Sequence, residues 1–106
     1  MELIHKNEKA DVTMNCIIYV CDNTDISIFE QWNSCSQYCK RCGISIADKV
    51  LDFEGGNFYQ AVDKAVFNDD IDSVVIYNQT CIGDFQDNIF FRIYLNKFDK
   101  QLIISK

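Results

Sequence analysis

Apolar positions along the chain gather in short runs whose period switches between that of strands and that of helices. Cys16-Ile17-Ile18-Tyr19-Val20-Cys21 is a continuous, β-rich run, which suits a strand buried on both faces of a sheet. The polar stretch 22–25 breaks it, and Asp25 is placed to cap a helix. Over residues 26–42, Ile28, Trp32, Cys35, Cys39 and Cys42 recur three or four positions apart, one face of a helix that predicts all three of these cysteines against a sheet. Gly43 is a natural stop. Residues 46–53 alternate in part and read as a second strand, followed by the loop Glu54-Gly55-Gly56-Asn57, with Gly56 or Asn57 as the next cap. Phe58, Ala61, Val62, Ala65 and Val66 have helical spacing, and Asn68-Asp69-Asp70 ends that helix. Residues 73–77 form a third apolar strand. Residues 84–97 read as a helix with Phe85, Ile89 and Ile93 inward, and 102–104 as a last short strand.

Strands that alternate with helices predict a three-layer α/β domain. Its sheet is expected to be mostly parallel and four-stranded, in the order 2-1-3-4, with right-handed crossovers and helices on both faces. The domain spans 15–106, preceded by a polar arm over 1–14. In such sheets functional groups sit in loops at the carboxyl ends of the strands, here 22–25, 54–57 and 78–83.

Charge narrows the function. The 106 residues carry a formal net charge of -6 and include only two arginines, Arg41 and Arg92. A duplex binder neutralises phosphates with a cationic stripe, so DNA binding by the isolated chain is expected to be weak or absent, and attraction to anionic membranes is disfavoured likewise. The first residues lack the apolar stretch of a secretory leader, and no segment reaches the length of a membrane span. A cytoplasmic location is the expectation, with the six cysteines as thiols.

The order of short motifs resembles the catalytic domain of serine recombinases (resolvases and invertases). That family opens with a strand and loop reading roughly Y-x-R-x-S-T, and this chain has Tyr19-Val20-Cys21-Asp22-Asn23-Thr24. Gln31, Cys35, Tyr38 and Gly43 fit the pattern of its first helix. Asp52 ends the second strand as in many members, Phe58 and Ala61 match the second helix, and Asp72 precedes the third strand. Where the family reads D-R-L-x-R, this chain reads Thr80-Cys81-Ile82-Gly83-Asp84. The resemblance implies a resolvase-like fold, and it implies that the chemistry is gone. Asn23 stands at the position of the nucleophilic serine, Cys21, Cys81 and Asp84 at positions of arginines, and Thr80 at that of an aspartate. A serine alkoxide attacking a phosphodiester needs clustered cations to stabilise the developing charge; Asp84 repels it. The dimerising and DNA-tracking helix of the family is also not seen after the fourth strand.

Other constellations are weaker. Cys35-x-x-x-Cys39-x-x-Cys42 has the spacing of an iron–sulfur motif, which makes a metal-binding module one alternative, but on an apolar helix face packing explains these thiols better, so no cofactor or metal is expected. Cys21 and Cys81, both at strand ends, suggest a small redox or enzyme domain as the other alternative. The one histidine, His5, lies in the arm and supplies no base. Asp22, Asp25, Asp52, Glu54 and Asp84 read as solvated caps and loop residues in preference to a Mg²⁺ site. The favoured reading is an inactive domain that works by protein–protein association, regulating a full-length serine recombinase or another DNA-associated partner, or pairing with a second copy of itself. Phe90, Phe91 and Tyr94 are the interface candidates, because six apolar positions on the last helix cannot all face the core.

Overall fold

The computed structural model describes residues 14–22 and 25–106; the arm expected over 1–14 lies, Met14 aside, outside them. The chain runs β1 (Asn15–Cys21), α1 (Ile28–Cys42), β2 (Ser45–Asp52), α2 (Phe58–Val66), β3 (Ser73–Ile76), a short 3-10 turn (Gln79–Cys81), α3 (Phe85–Lys97) and β4 (Gln101–Ile104). All strand pairs are parallel and the order is β2-β1-β3-β4, as the alternation of elements predicts.

The period of two along β1 builds the layers. Ile17, Tyr19 and Cys21 point to one face, where Phe58, Ala61, Val62, Ala65, Val66 and Leu95 cover them from α2 and α3. Cys16, Ile18 and Val20 point to the other, against Cys35 and Cys39 of α1 with Trp32 beside them. A strand sandwiched in this way has to be apolar at every position, which is why β1 lacks alternation. Strand β2 is an edge: its residues 45–49 are exposed and only Val50 and Asp52 are buried.

Three sequence expectations need correction. Helix α1 begins two residues later than the apolar pattern suggests, and its cap is Ser27, not Asp25. The Ser27 hydroxyl accepts from the Glu30 amide at 3.1 Å and lies 3.3 Å from the Glu30 carboxylate, the S-x-x-E pattern of a capping box. Cys42 does not face the sheet; it is exposed. Cys39 already meets Cys16, the second residue of β1, sulfur to sulfur at 3.5 Å. Three residues further carry α1 about 4.5 Å along its axis, past the end of the strand, before Gly43 (φ 72°) turns the chain.

Helix α3 presents to the core the opposite face from the one expected. Phe85, Ile89 and Ile93 point outward, with Phe85 78% and Ile93 64% exposed. The inward face is Phe91, Tyr94 and the buried Leu95. Phe91 packs edge-on against Phe58 of α2, ring centres 5.0 Å apart. Two apolar stripes run along this helix, so its periodicity alone does not choose between them.

Candidate functional site

The carboxyl ends of β1 and β3 meet around one side chain, Gln31. It lies on the first turn of α1 yet is fully buried. Its amide nitrogen donates to the Cys21 carbonyl at 2.7 Å and to the Ile26 carbonyl at 2.8 Å. Its oxygen accepts from the Cys21 backbone amide at 3.0 Å, and the Cys81 sulfur donates to the same oxygen at 3.7 Å. One side chain therefore ties the end of β1 to the start of α1 and to the 3-10 turn after β3. Both hydrogens and the carbonyl oxygen are engaged, the condition under which burying an amide is not costly.

Cys21 and Cys81 are both buried beside this clasp. The Cys21 sulfur donates toward the Cys81 carbonyl at 3.8 Å, and the Cys81 sulfur also reaches the Asn78 side-chain oxygen at 3.7 Å. The Cys81 thiol is lowered to about 7, with the neighbouring Cys21 thiol as the largest cause; burial opposes this, and the backbone amides of Asn78 and Tyr77 add to the lowering. Stabilisation of a thiolate here fits a cysteine held in a loop of converging amides.

Thr80 and Asp84 lie in the same loop but face solvent. The Thr80 hydroxyl donates to Asn78 at 2.6 Å. Asp84 caps α3: its carboxylate accepts from the Asp87 amide at 2.8 Å, and the Asp87 side chain accepts from the Asp84 amide at 3.3 Å. The turn before it needs Gly83, at φ 144°, where a Cβ would collide with the Asp87 carboxylate. An open cavity of about 510 Å³ lies beside this loop, lined in part by Thr80, Asp84, Asn88, Ile89 and Arg92. Two carboxylates at this helix start oppose an anion there. Asn23 lies outside the described residues.

The reading of Asp52 as a solvated loop carboxylate is overturned: it is 5% exposed. One oxygen accepts from the Tyr19 hydroxyl at 2.6 Å and from the Asn57 amide at 2.8 Å. The other accepts from the amides of Gly55 at 2.8 Å and Glu54 at 3.2 Å. Burial raises its pKa, but the Tyr19 hydroxyl and the three amides outweigh that and hold the group below the ordinary carboxylate range. The same environment pushes the Tyr19 phenol up, burial first and the Asp52 carboxylate next. The Gly55-Gly56 loop is thus folded around a carboxylate of its own chain. The sequence signal for such a knot is a carboxylate closing a strand just before a Gly-rich loop, a signal that counting loop carboxylates does not pick out.

The remaining carboxylates, Asp22, Asp25 and Glu54, are exposed, and among the described residues no three Asp, Glu, His or Cys groups converge to hold a metal ion. Cys35 and Cys39 lie in the core with Cys16, whereas Cys42 is in solvent. Burial, the largest cause, raises the Cys35 thiol to about 11; these sulfurs behave as packing atoms. Of the interface candidates, Phe90 is 58% exposed, while Phe91 and Tyr94 pack on the core. The outward stripe is instead Phe85, Ile89, Phe90 and Ile93.

Among solved structures, the chain is similar to the N-terminal catalytic domain of TP901-1 integrase, a serine recombinase, with a TM-score of 0.73 and 20% identity over 86% of this chain and 76% of that one. No protein-family model matches the sequence, and no curated protein does. The chain has the serine-recombinase catalytic-domain fold, and at this identity the likeness concerns the fold alone. Among the described residues, no helix is long and apolar enough to cross a membrane.

Proposed function

We propose that this chain is a non-cleaving copy of the recombinase catalytic fold that acts by docking onto a serine-recombinase catalytic domain through the outward face of α3. The observation that carries the reading is the mismatch between site and surface. The loops where the resemblance expects arginines hold buried thiols and a helix-capping carboxylate, while Phe85, Ile89, Phe90 and Ile93 stand in solvent on one helix. A contiguous apolar stripe of this kind marks an interaction surface. The cationic charge needed to hold DNA is lacking, so the partner that fits is protein.

Sedimentation of the chain alone and mixed with a serine-recombinase catalytic domain tests this. A heterocomplex is expected, and Ile89→Asp with Ile93→Asp is expected to weaken it at least tenfold, about 1.4 kcal/mol or more, without altering the far-ultraviolet circular dichroism. Self-association that outcompetes the mixture makes a second copy the partner, and a monomer in both samples ends the proposal.

The same reading predicts no chemistry on DNA. Incubated with supercoiled DNA carrying a recombination site, the chain is expected to leave no nick and no covalent adduct. Its affinity for duplex at physiological salt is expected to be weaker than the roughly 10⁻⁴ to 10⁻⁶ M of ordinary non-specific binders. Fluorescence anisotropy and adduct mapping give the answer; an adduct on any side chain of this protein refutes it.

A further inference from the structure

We propose that Cys21 and Cys81 form a dithiol that a small peroxide oxidises to an intramolecular disulfide. The inference stands apart from the association reading, because it uses the carboxyl ends of the strands and not the face of α3.

The fold brings the two cysteines to one clasp. The two cysteines are 60 positions apart in sequence, yet the Cys21 sulfur lies 3.8 Å from the Cys81 carbonyl. Both are fastened to the Gln31 amide, Cys21 by its backbone and Cys81 by its sulfur. Cys81 sits in a turn of three residues whose other two members, Gln79 and Thr80, are exposed, so a local opening of one turn admits a small oxidant. Lowering of the Cys81 thiol supplies a nucleophile near neutral pH.

The Cys16–Cys39 pair provides the internal contrast. Its sulfurs are 3.5 Å apart, but both lie between α1 and the sheet, and burial pushes both thiols up. Proximity alone favours that pair; reactivity favours Cys21 with Cys81.

The oxidation takes two steps. The Cys81 thiolate attacks one oxygen of hydrogen peroxide, the O–O bond breaks, and the departing hydroxide takes up the proton Cys81 has released, giving a sulfenic acid and one water. The Cys21 sulfur then attacks the Cys81 sulfur, the S–O bond breaks, and the hydroxide leaves as a second water with the Cys21 proton. Two thiols lose two hydrogens and one peroxide becomes two waters.

The test treats the reduced full chain with one equivalent of hydrogen peroxide near neutral pH, then alkylates under denaturing conditions. Four of the six cysteines should take the label, and tandem mass spectrometry should place a bridge between Cys21 and Cys81. Cys21→Ser should leave a sulfenic acid on Cys81 that dimedone traps, and Cys81→Ser should slow oxidation at least about tenfold. Native-state alkylation of Cys81 should reach half its maximal rate near pH 7. A bridge mapped to Cys16–Cys39, dimers through Cys42 in its place, or unchanged oxidation in Cys81→Ser overturns the proposal. Urea midpoints of both serine variants near that of the parent chain show that the fold is intact.

Discussion

Gln31→Leu is expected to lower the free energy of unfolding by about 3–5 kcal/mol, although leucine nearly matches glutamine in size. Removing the amide takes away the hydrogen bonds that Gln31 makes with the Cys21 amide, the Cys21 carbonyl and the Ile26 carbonyl. A buried backbone group that loses its hydrogen bond costs about 1–3 kcal/mol. A domain of this size is typically stable by only about 5–15 kcal/mol. The variant should therefore show a much lower urea midpoint with little change in slope. Gln31→Glu separates the two halves of the clasp, because it keeps an acceptor for the Cys21 amide and loses the donors; it should also be strongly destabilised, as a buried carboxylate facing two carbonyls. A loss below about 1 kcal/mol for Gln31→Leu would show that the clasp is incidental to the fold.

Asp52→Asn is the second large effect. The carboxylate accepts five hydrogen bonds, the longest from the Asn57 side-chain amide at 3.5 Å, and the amide that replaces it must point its nitrogen at donors on one side. About 2–3 kcal/mol should be lost at neutral pH, since hydrogen bonds to charged groups are worth more than neutral ones. The pH dependence gives a further check. The folded pKa of Asp52 lies below the ordinary carboxylate value, so its contribution is complete above the unfolded value near about 4 and is lost as pH falls through the folded one. The difference in stability between parent and variant should be flat from neutral pH down to about 5 and shrink below it. A difference that grows on acidification would mean that the carboxylate is strained and not stabilised.

Both positions show how far the amino-acid pattern reaches. The parallel sheet and its order are legible because β1 and β3 are apolar after their first residues, Asn15 and Ser73, and the helices between them are amphipathic, and those features act locally. Gly43 as a helix stop is legible for the same reason: a positive φ is a property of one residue. Gln31 matches a family pattern, but nothing in its neighbours reveals that its amide spans two strand ends, because its partners are backbone groups and a residue 50 positions away. Asp52 looks like one more solvated carboxylate, since Tyr19 and the amides of the Gly55-Gly56 loop converge on it only after β1 and β2 have paired.

Period and composition, with Gly43 as a helix stop, thus determined by themselves the elements, the layers and the scarcity of cationic charge that a DNA contact requires. Tertiary structure decided what those rules leave degenerate. Helix α3 carries two apolar stripes, and the contact of Phe91 with Phe58 selects which one is buried, leaving Phe85, Ile89, Phe90 and Ile93 in solvent. The cysteines of α1 share one helical face, and the place where β1 begins decides that Cys39 meets the sheet and Cys42 overhangs it. Cys21 and Cys81 become neighbours only when the end of β1 and the turn after β3 are held by one amide. The physical reason is common to all three: hydrophobic periodicity specifies a face within an element, whereas the choice between equivalent faces, and the pairing of distant polar groups, depends on packing against residues far away in sequence.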